Sequence, residues 1–374
     1  MSVGVLVAVA LALLPGAGDV APDVGAAARD AWPVFRGDAR QTGVAASPLP
    51  DRLEVLWKFR TGDGIEGAVA VAGGVVYCGS LDEHLYALDL AGGGLKWKYK
   101  AGPIKASPGV RGGAVFVGNI DGMFTCVDAA KGTKRWEHEA NAEITSGANF
   151  AGDSVLFASH DETLYCLNTR DGKLRWQFKT EGPVYGTLTV AEGRTFIAGC
   201  DSKLHVLDVA NGKQLGTVDL GGQSGATAAV AGDCLYVGTM SNEFEAINWK
   251  KGRVEWTFQP AERAQPFRSS AAVTDALVVV GSEDKRVYAL DRKTGKEVWN
   301  FATGGRVNAS PVIAGTRVYV GSLDGNLYVL DLATGRERQK LKLDGPITGS
   351  PAVAAGRLLL GTGTGTLYCL GAKK

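Results

Sequence analysis

The sequence is short of the residues from which most catalytic centres are built. It has four histidines and three methionines in 374 residues. His84, His138, His160 and His205 show no metal-ligand spacing, and no two cysteines form C-x-x-C. That pattern excludes the common zinc sites. No G-x-S-x-G, P-loop or Cys-His nucleophile pattern is present either. An excess of one charge is also lacking, since 40 Lys+Arg balance 39 Asp+Glu for a net charge of +1. A balanced surface has no electrostatic footprint for nucleic acid, which is therefore excluded as a partner. Long apolar runs are confined to the N-terminus. Val3 to Leu14 is unbroken but shorter than the roughly 20 residues a membrane span needs. It reads as an export signal over residues 1–28, with cleavage after Gly18 or after Ala28. The mature chain is then expected in the periplasm or outside the cell, as a monomer with no membrane span. No Cys precedes Cys78, so a lipid-anchored start is not expected.

Glycine, by contrast, is abundant at 52 residues, without a G-X-Y period. It marks tight turns, and the turns repeat. "YALDRKTGKEVW" (Tyr288–Trp299) has near-copies along almost the whole chain. A turn position recurs at Asp82, Asp121, Asp161, Asp201, Ser241, Asp284, Asp324 and Thr364, in steps of 39, 40, 40, 40, 43, 40 and 40. A period near forty, made of short alternating runs, signals a repeat array of strands. Each copy holds four runs. In the first copy they are Glu66–Val71, Val75–Gly79, His84–Asp89 and Leu95–Tyr99. Third runs such as "LYVLD" (Leu327–Asp331) are apolar on both alternating faces, as in a sheet covered on both sides. Four-stranded antiparallel units stacked in this way close into a propeller.

The fourth runs carry Trp57, Trp97, Trp136, Trp176, Trp256 and Trp299, with Gly216 and Gln339 at the two remaining positions. These six Trp are expected to dock between neighbouring blades, and the Gly216 and Gln339 blades must pack differently. Cys126, Cys166 and Cys369 occupy equivalent repeat positions, as small buried hydrophobes rather than halves of disulfides. The last repeat ends at "GTLYCLGAKK" without its Trp run, while "LEVLWKF" (Leu53–Phe59) is a Trp run without a repeat. Pairing the two completes an eighth blade and removes an open sheet edge. The expected architecture is all-β: an eight-bladed β-propeller over residues 53–374, closed by its N-terminal strand and preceded by a leader at 29–52.

The motif A-x-D-x-x-T-G-x-x-x-W within "YALDRKTGKEVW" resembles the tryptophan-docking repeat of the pyrroloquinoline-quinone (PQQ) propeller superfamily. "YALDLAGGGLKW", "YCLNTRDGKLRW" and "YVLDLATGRERQ" are weaker copies, and "WPVFRGDARQTGV" (Trp32–Val44) is similar to the leader of exported members. The resemblance spans Trp32 to Leu370 and implies the fold. For activity it implies two outcomes, quinoprotein dehydrogenases with PQQ and Ca²⁺, or cofactor-free scaffolds of the compact BamB-like kind.

Candidate site residues follow from the propeller geometry. The turn Asp residues share one face, where a carboxylate ring could hold a cation, but Asp is also a good turn residue in its own right. The first residues of the innermost runs face the same mouth: Glu66, Lys105, Thr145, Tyr185, Gly225, Arg268, Asn308 and Thr348. Lys105 and Arg268 are suited to an anionic partner, and Glu66 and Asn308 are of types that ligate Ca²⁺. The longest inter-blade connection, Phe258–Ser270, adds Arg263 beside Arg268. Dehydrogenases of the superfamily build their site from large insertions, and many carry a vicinal Cys pair. Steps this regular leave little chain for either. The favoured expectation is a non-catalytic exported scaffold, without cofactor or metal, binding a protein or cell-envelope component through its loop-bearing face. A PQQ-dependent dehydrogenase of alcohols or sugars is the alternative. A polysaccharide-binding propeller has little support, because only Trp32 and Trp249 lie outside the docking register.

Overall fold

Among the residues that the computed structural model describes, every helix or strand element is a β-strand, as expected from alternating runs without helical spacing beyond the N-terminal segment. The model describes residues 30–262 and 264–373. The expected signal at 1–28 and Arg263 lie outside the described residues.

The strands form eight four-stranded antiparallel sheets, with one sheet carrying an extra strand. Blade 1 is Ala70–Ala72, Val75–Gly79, His84–Asp89 and Leu95–Lys100. The other blades follow the same inner-to-outer order. Their outer strands are Lys134–Glu139, Leu174–Lys179, Gln214–Asp219, Arg253–Phe258, Glu297–Ala302 and Glu337–Lys342 in blades 2 to 7. Blade 8 takes three strands from the C-terminus, and its outer strand is Glu54–Arg60. There Trp57 faces Cys369 and Lys58 faces Tyr368, so the two ends of the propeller are laced into one sheet. The innermost strands are shorter than expected: only Ala70–Ala72 pairs in blade 1, and Glu66–Val69 approach it outside the ladder.

Six blade junctions share one construction. Each docking Trp donates its indole N–H to a carbonyl of the next blade: Trp57 to Leu90, Trp97 to Ala129, Trp136 to Thr169, Trp176 to Val209, Trp256 to Arg292 and Trp299 to Leu332, at 2.9–3.1 Å. The ring lies under the positive-φ turn glycine of that blade. A Cβ there would stand 2.5–2.7 Å from the indole, as at Gly335 over Trp299. The residue opposite the Trp on the third strand is small, either Ala (Ala87, Ala246, Ala289) or Cys (Cys126, Cys166, Cys369). This accounts for half of the cysteines, and all six are free thiols. Where the Trp is lost the small residue is lost too: Val206 faces Gly216 and Val329 faces Gln339. Val at these two positions restores only part of the volume that the missing indole leaves.

The leader is part of the propeller. Trp32 bridges Val71 of blade 1, and the carbonyls of Pro33, Ala39, Arg40, Thr42 and Gly43 accept the N–H groups of Val110, Val190, Val230, Val273 and Ile313 in turn. The Asn149 side chain of blade 3 also donates to Ala39 at 2.9 Å. Val44–Ala45 then adds a parallel fifth strand to blade 7. The segment thus runs around the inner wall and touches blades 1 to 7 before it enters blade 8.

Candidate functional site

The repeat itself builds the channel mouth. Before seven of the eight mouth residues stands an apolar anchor: Ile65, Ile104, Ile144, Val184, Phe267, Val307 and Ile347 are all fully buried, and buried Ser224 precedes Gly225. Most of them wedge against the glycine that ends the second strand of the preceding blade. A Cβ on Gly79 would lie 2.3 Å from Ile104, and one on Gly361 would lie 2.1 Å from Ile65. Glycine is required there by close approach alone. The anchor fixes the backbone, and the next side chain projects to the axis.

Glu66, Lys105, Tyr185, Arg268 and Asn308 are thereby brought to one pocket, with Thr145, Gly225 and Thr348. It encloses about 170 Å³, and Phe35 of the leader lines it as well. The cations are already engaged. Lys105 Nζ lies 3.8 Å from Glu66, and Arg268 Nε lies 2.9 Å from Glu283. The Lys105–Glu66 pair is open to solvent and worth at most about 1 kcal/mol, so a partner can exchange it cheaply, whereas Glu283 is largely buried. Tyr185 is 42% exposed and meets His160 edge-on at 4.4 Å. His160 in turn shares a hydrogen bond with Thr145 at 2.8 Å. Burial lowers the His160 pKa and Glu143 opposes that shift, so the ring is neutral near pH 7.

One layer below lies a feature the sequence reading missed. Two residues after each mouth position stands a hydroxyl in six of the eight blades. Ser107, Thr187, Thr227, Ser270, Ser310 and Ser350 accept the N–H groups of Ala68, Gly147, Thr187, Thr227, Ser270 and Ser310, at 2.8–3.0 Å. Each bond spans a blade junction, so the hydroxyls stitch the inner ring. The signal was present as Ser/Thr at a fixed offset in the forty-residue register.

The turn Asp residues form no cation ring. Asp82 accepts the Gly62 and His84 N–H groups and the Tyr86 hydroxyl, and Asp324 accepts those of Gly304, Asn326 and Tyr328. Asp161 repeats the pattern with Tyr165, and Asp201 does so with His205 Nε2 at 2.7 Å. These carboxylates cap turns and are satisfied locally. Asn308 and Glu66, proposed as Ca²⁺ types, share the pocket without a second carboxylate in its lining, and no cluster of three or more His, Cys, Asp or Glu able to hold a metal occurs among the described residues.

The mouth is a poor fit for PQQ with Ca²⁺. Its volume lies below the roughly 300 Å³ at which pockets begin to enclose a drug-sized ligand. Its two basic side chains face carboxylates, and Phe35 adds an aromatic side chain to its lining. Trp32 and Trp249, the two Trp outside the docking register, are both buried, so neither offers a sugar-stacking platform.

A ring of eight blades, six of its junctions docked by Trp, with a small polar mouth defines a compact PQQ-like β-propeller. The chain belongs to the family described as outer membrane protein assembly factor BamB, whose model matches residues 50–146, 121–215 and 200–374. Among solved structures it is similar to BamB from Moraxella catarrhalis, with TM-score 0.74 and 22% identity over 86% of this chain and 98% of that one. It is also similar to a europium-containing methanol dehydrogenase, with TM-score 0.81 and 14% identity over 92% and 98% of the two chains. At these identities the likeness is one of fold. Among curated proteins, quinohemoprotein alcohol dehydrogenase ADH IIB of Pseudomonas putida is 32% identical over 83 residues, 20% of this chain and 12% of that protein. The Comamonas testosteroni enzyme is 33% identical over 98 residues, 24% of this chain and 14% of its own length. The chain therefore matches only about an eighth of these enzymes.

Proposed function

We propose that the protein is an exported, non-catalytic scaffold that binds a protein or cell-envelope component over the loop-bearing mouth. One observation carries this reading: the mouth is a small, charge-balanced pocket to whose lining the chain's own leader contributes Phe35. Such a surface suits a macromolecular contact, where rim charges steer association and set register. Glu66, Lys105, Tyr185, Arg268 and Asn308 are the contact residues proposed, with Arg263 on the adjoining connection. Family membership supports the reading, and the short stretches shared with quinohemoprotein dehydrogenases favour a PQQ enzyme as the second one.

Two experiments separate them. Capture of partners from envelope extract by the wild type and by a Lys105→Glu/Arg268→Glu variant should differ, and an unchanged set would discard the mouth. Incubation with PQQ and Ca²⁺ should give no quinone absorbance shift and no dye-linked alcohol oxidation. A signal in both would establish the enzyme reading.

A further inference from the structure

The junction between blades 4 and 5 breaks the docking rule on one side only. Gly216 stands at the Trp position of blade 4, but blade 5 keeps both halves of the receptor. Trp249 occupies the accepting position, with its N–H bonded to the Asp233 carbonyl as Leu90 is to Gly74. Its carbonyl accepts no hydrogen bond among the described residues. Gly252 is the covering turn glycine at φ +65°, and a Cβ on it, or on Gly216, would meet nothing within 4 Å. In the six filled junctions the corresponding glycine lies directly on an indole.

The Trp249 side chain has crossed toward blade 4. It meets Phe196 at 5.3 Å and 61°, the face that Phe116 offers to Trp136 in blade 2. This covers the base of the site, and Val206 narrows it further. Above them an open groove of about 290 Å³ remains over Gly216, walled by Leu215, Val218 and Trp249. Leu215 is 51% exposed. Arg194 and Lys250 line the groove and no carboxylate does. Lys250 is held by Asp233 and Glu192, at 2.7 and 3.3 Å. Among the described residues the Arg194 guanidinium donates only to the Glu192 carbonyl, and it lies 4.9 Å from the Trp249 ring, so it is the cation open to an incoming carboxylate.

We propose that this groove receives a tryptophan side chain from a partner protein, presented on an extended acidic segment. The occupant is specified by the molecule's own repeats. An indole is what the other six junctions place beneath the turn glycine and against the facing carbonyl. Here the ring enters from outside, because Val206 and Trp249 close the inner end. Its N–H donates to the Trp249 carbonyl, its face packs on Leu215 and Gly216 under Gly252, and a neighbouring Asp or Glu of the partner pairs with Arg194. The site is on the side wall of the ring and does not depend on the mouth reading.

The test uses the full chain and two labelled peptides, Gly-Asp-Trp-Asp-Gly and its counterpart with Ala for Trp, titrated by fluorescence anisotropy. The Trp peptide should bind at least about fivefold tighter, the scale expected of one buried aromatic anchor. Gly216→Trp, which fills the groove from within, should weaken Trp-peptide binding at least about fivefold while melting no lower than the wild type. Arg194→Glu, a rim change that leaves the fold intact, should also weaken it, by at least about threefold. A smaller preference for the Trp peptide, or binding unchanged in Arg194→Glu, overturns the proposal even if Gly216→Trp fails to fold. Loss of the mouth-dependent partners with this binding intact would separate the two readings.

Discussion

Gln339 and Leu53 are joined by both ends of a single amide. The Leu53 N–H donates to Gln339 Oε1 at 2.9 Å, and Gln339 Nε2 donates to the Leu53 carbonyl at 2.8 Å. The pair lies at the one junction where the chain itself is broken. Leu53 precedes Trp57 by four residues, as Gly93 precedes Trp97, so a leucine fills the position of the covering glycine. An indole has no room beneath it, and Gln takes the Trp position to secure the backbone of the closing strand. Leu53 is 1% exposed, so its amide groups have no water to turn to. Gln339→Ala should cost about 1–3 kcal/mol in denaturant unfolding, the penalty for stranding buried polar groups. Gln339→Trp restores the repeat consensus and should nonetheless destabilise. A Trp variant more stable than the wild type would refute the account.

Trp299 and Gly335 test the standard junction. Trp299→Ala removes a buried indole and its bond to Leu332, and should cost about 3–5 kcal/mol. Gly335→Ala places a methyl 2.6 Å from that ring at φ +68°, so it should also destabilise, through strain rather than a cavity. The double variant should lose less than the sum, because removing the indole relieves the clash. Strict additivity in thermal melts would show that the glycine is needed only for its φ.

The hydroxyl ring gives a third expectation. Ser310→Ala leaves the buried Ser270 N–H without an acceptor and should cost about 1–3 kcal/mol. Ser310→Thr should be close to neutral, since Thr187 and Thr227 serve the same role in their own junctions. Equal losses for Ala and Thr would shift the explanation from the hydrogen bond to packing.

The parts of the fold legible in the sequence were those written many times. A step near forty, a recurring Trp and mismatched chain ends suffice to place Trp57 beside Cys369. The mouth residues were legible for the same reason, since a register position on a propeller is also a place in space. The leader was not, because it occurs once and its bonds are made through backbone groups that no side-chain pattern reveals. Its Arg36 is fully buried, and its guanidinium bonds the Ala271 carbonyl of blade 6. Nothing in "FRGDARQTG" indicates that. The Ser/Thr offset is written in the sequence too, but Ala68 and Gly147 interrupt it, and a hydroxyl in a strand does not by itself reveal that it bonds the neighbouring blade. The meaning of Gly216 and Gln339 needed the partners across the junction, Trp249 and Leu53, which lie 33 and 286 residues away.

Asp324 sets a pH dependence whose sign follows from its bonds. Burial alone would raise its pKa, but donors from Tyr328, Asn326 and Gly304 outweigh this and hold the carboxyl below the usual carboxylate range. Asp82 is lowered in the same way by Tyr86 and the Gly62 and His84 amides. A group whose folded pKa is depressed contributes stability that is complete above its unfolded pKa of about 4 and is lost as pH falls through the folded value. Asp324→Asn removes the charge but keeps the size. It should lower the melting temperature at about pH 7 and about pH 5 alike, and the gap from wild type should close below about pH 4. A gap that stays constant down to about pH 3 would mean that the carboxylate charge contributes nothing and that shape alone matters at this turn.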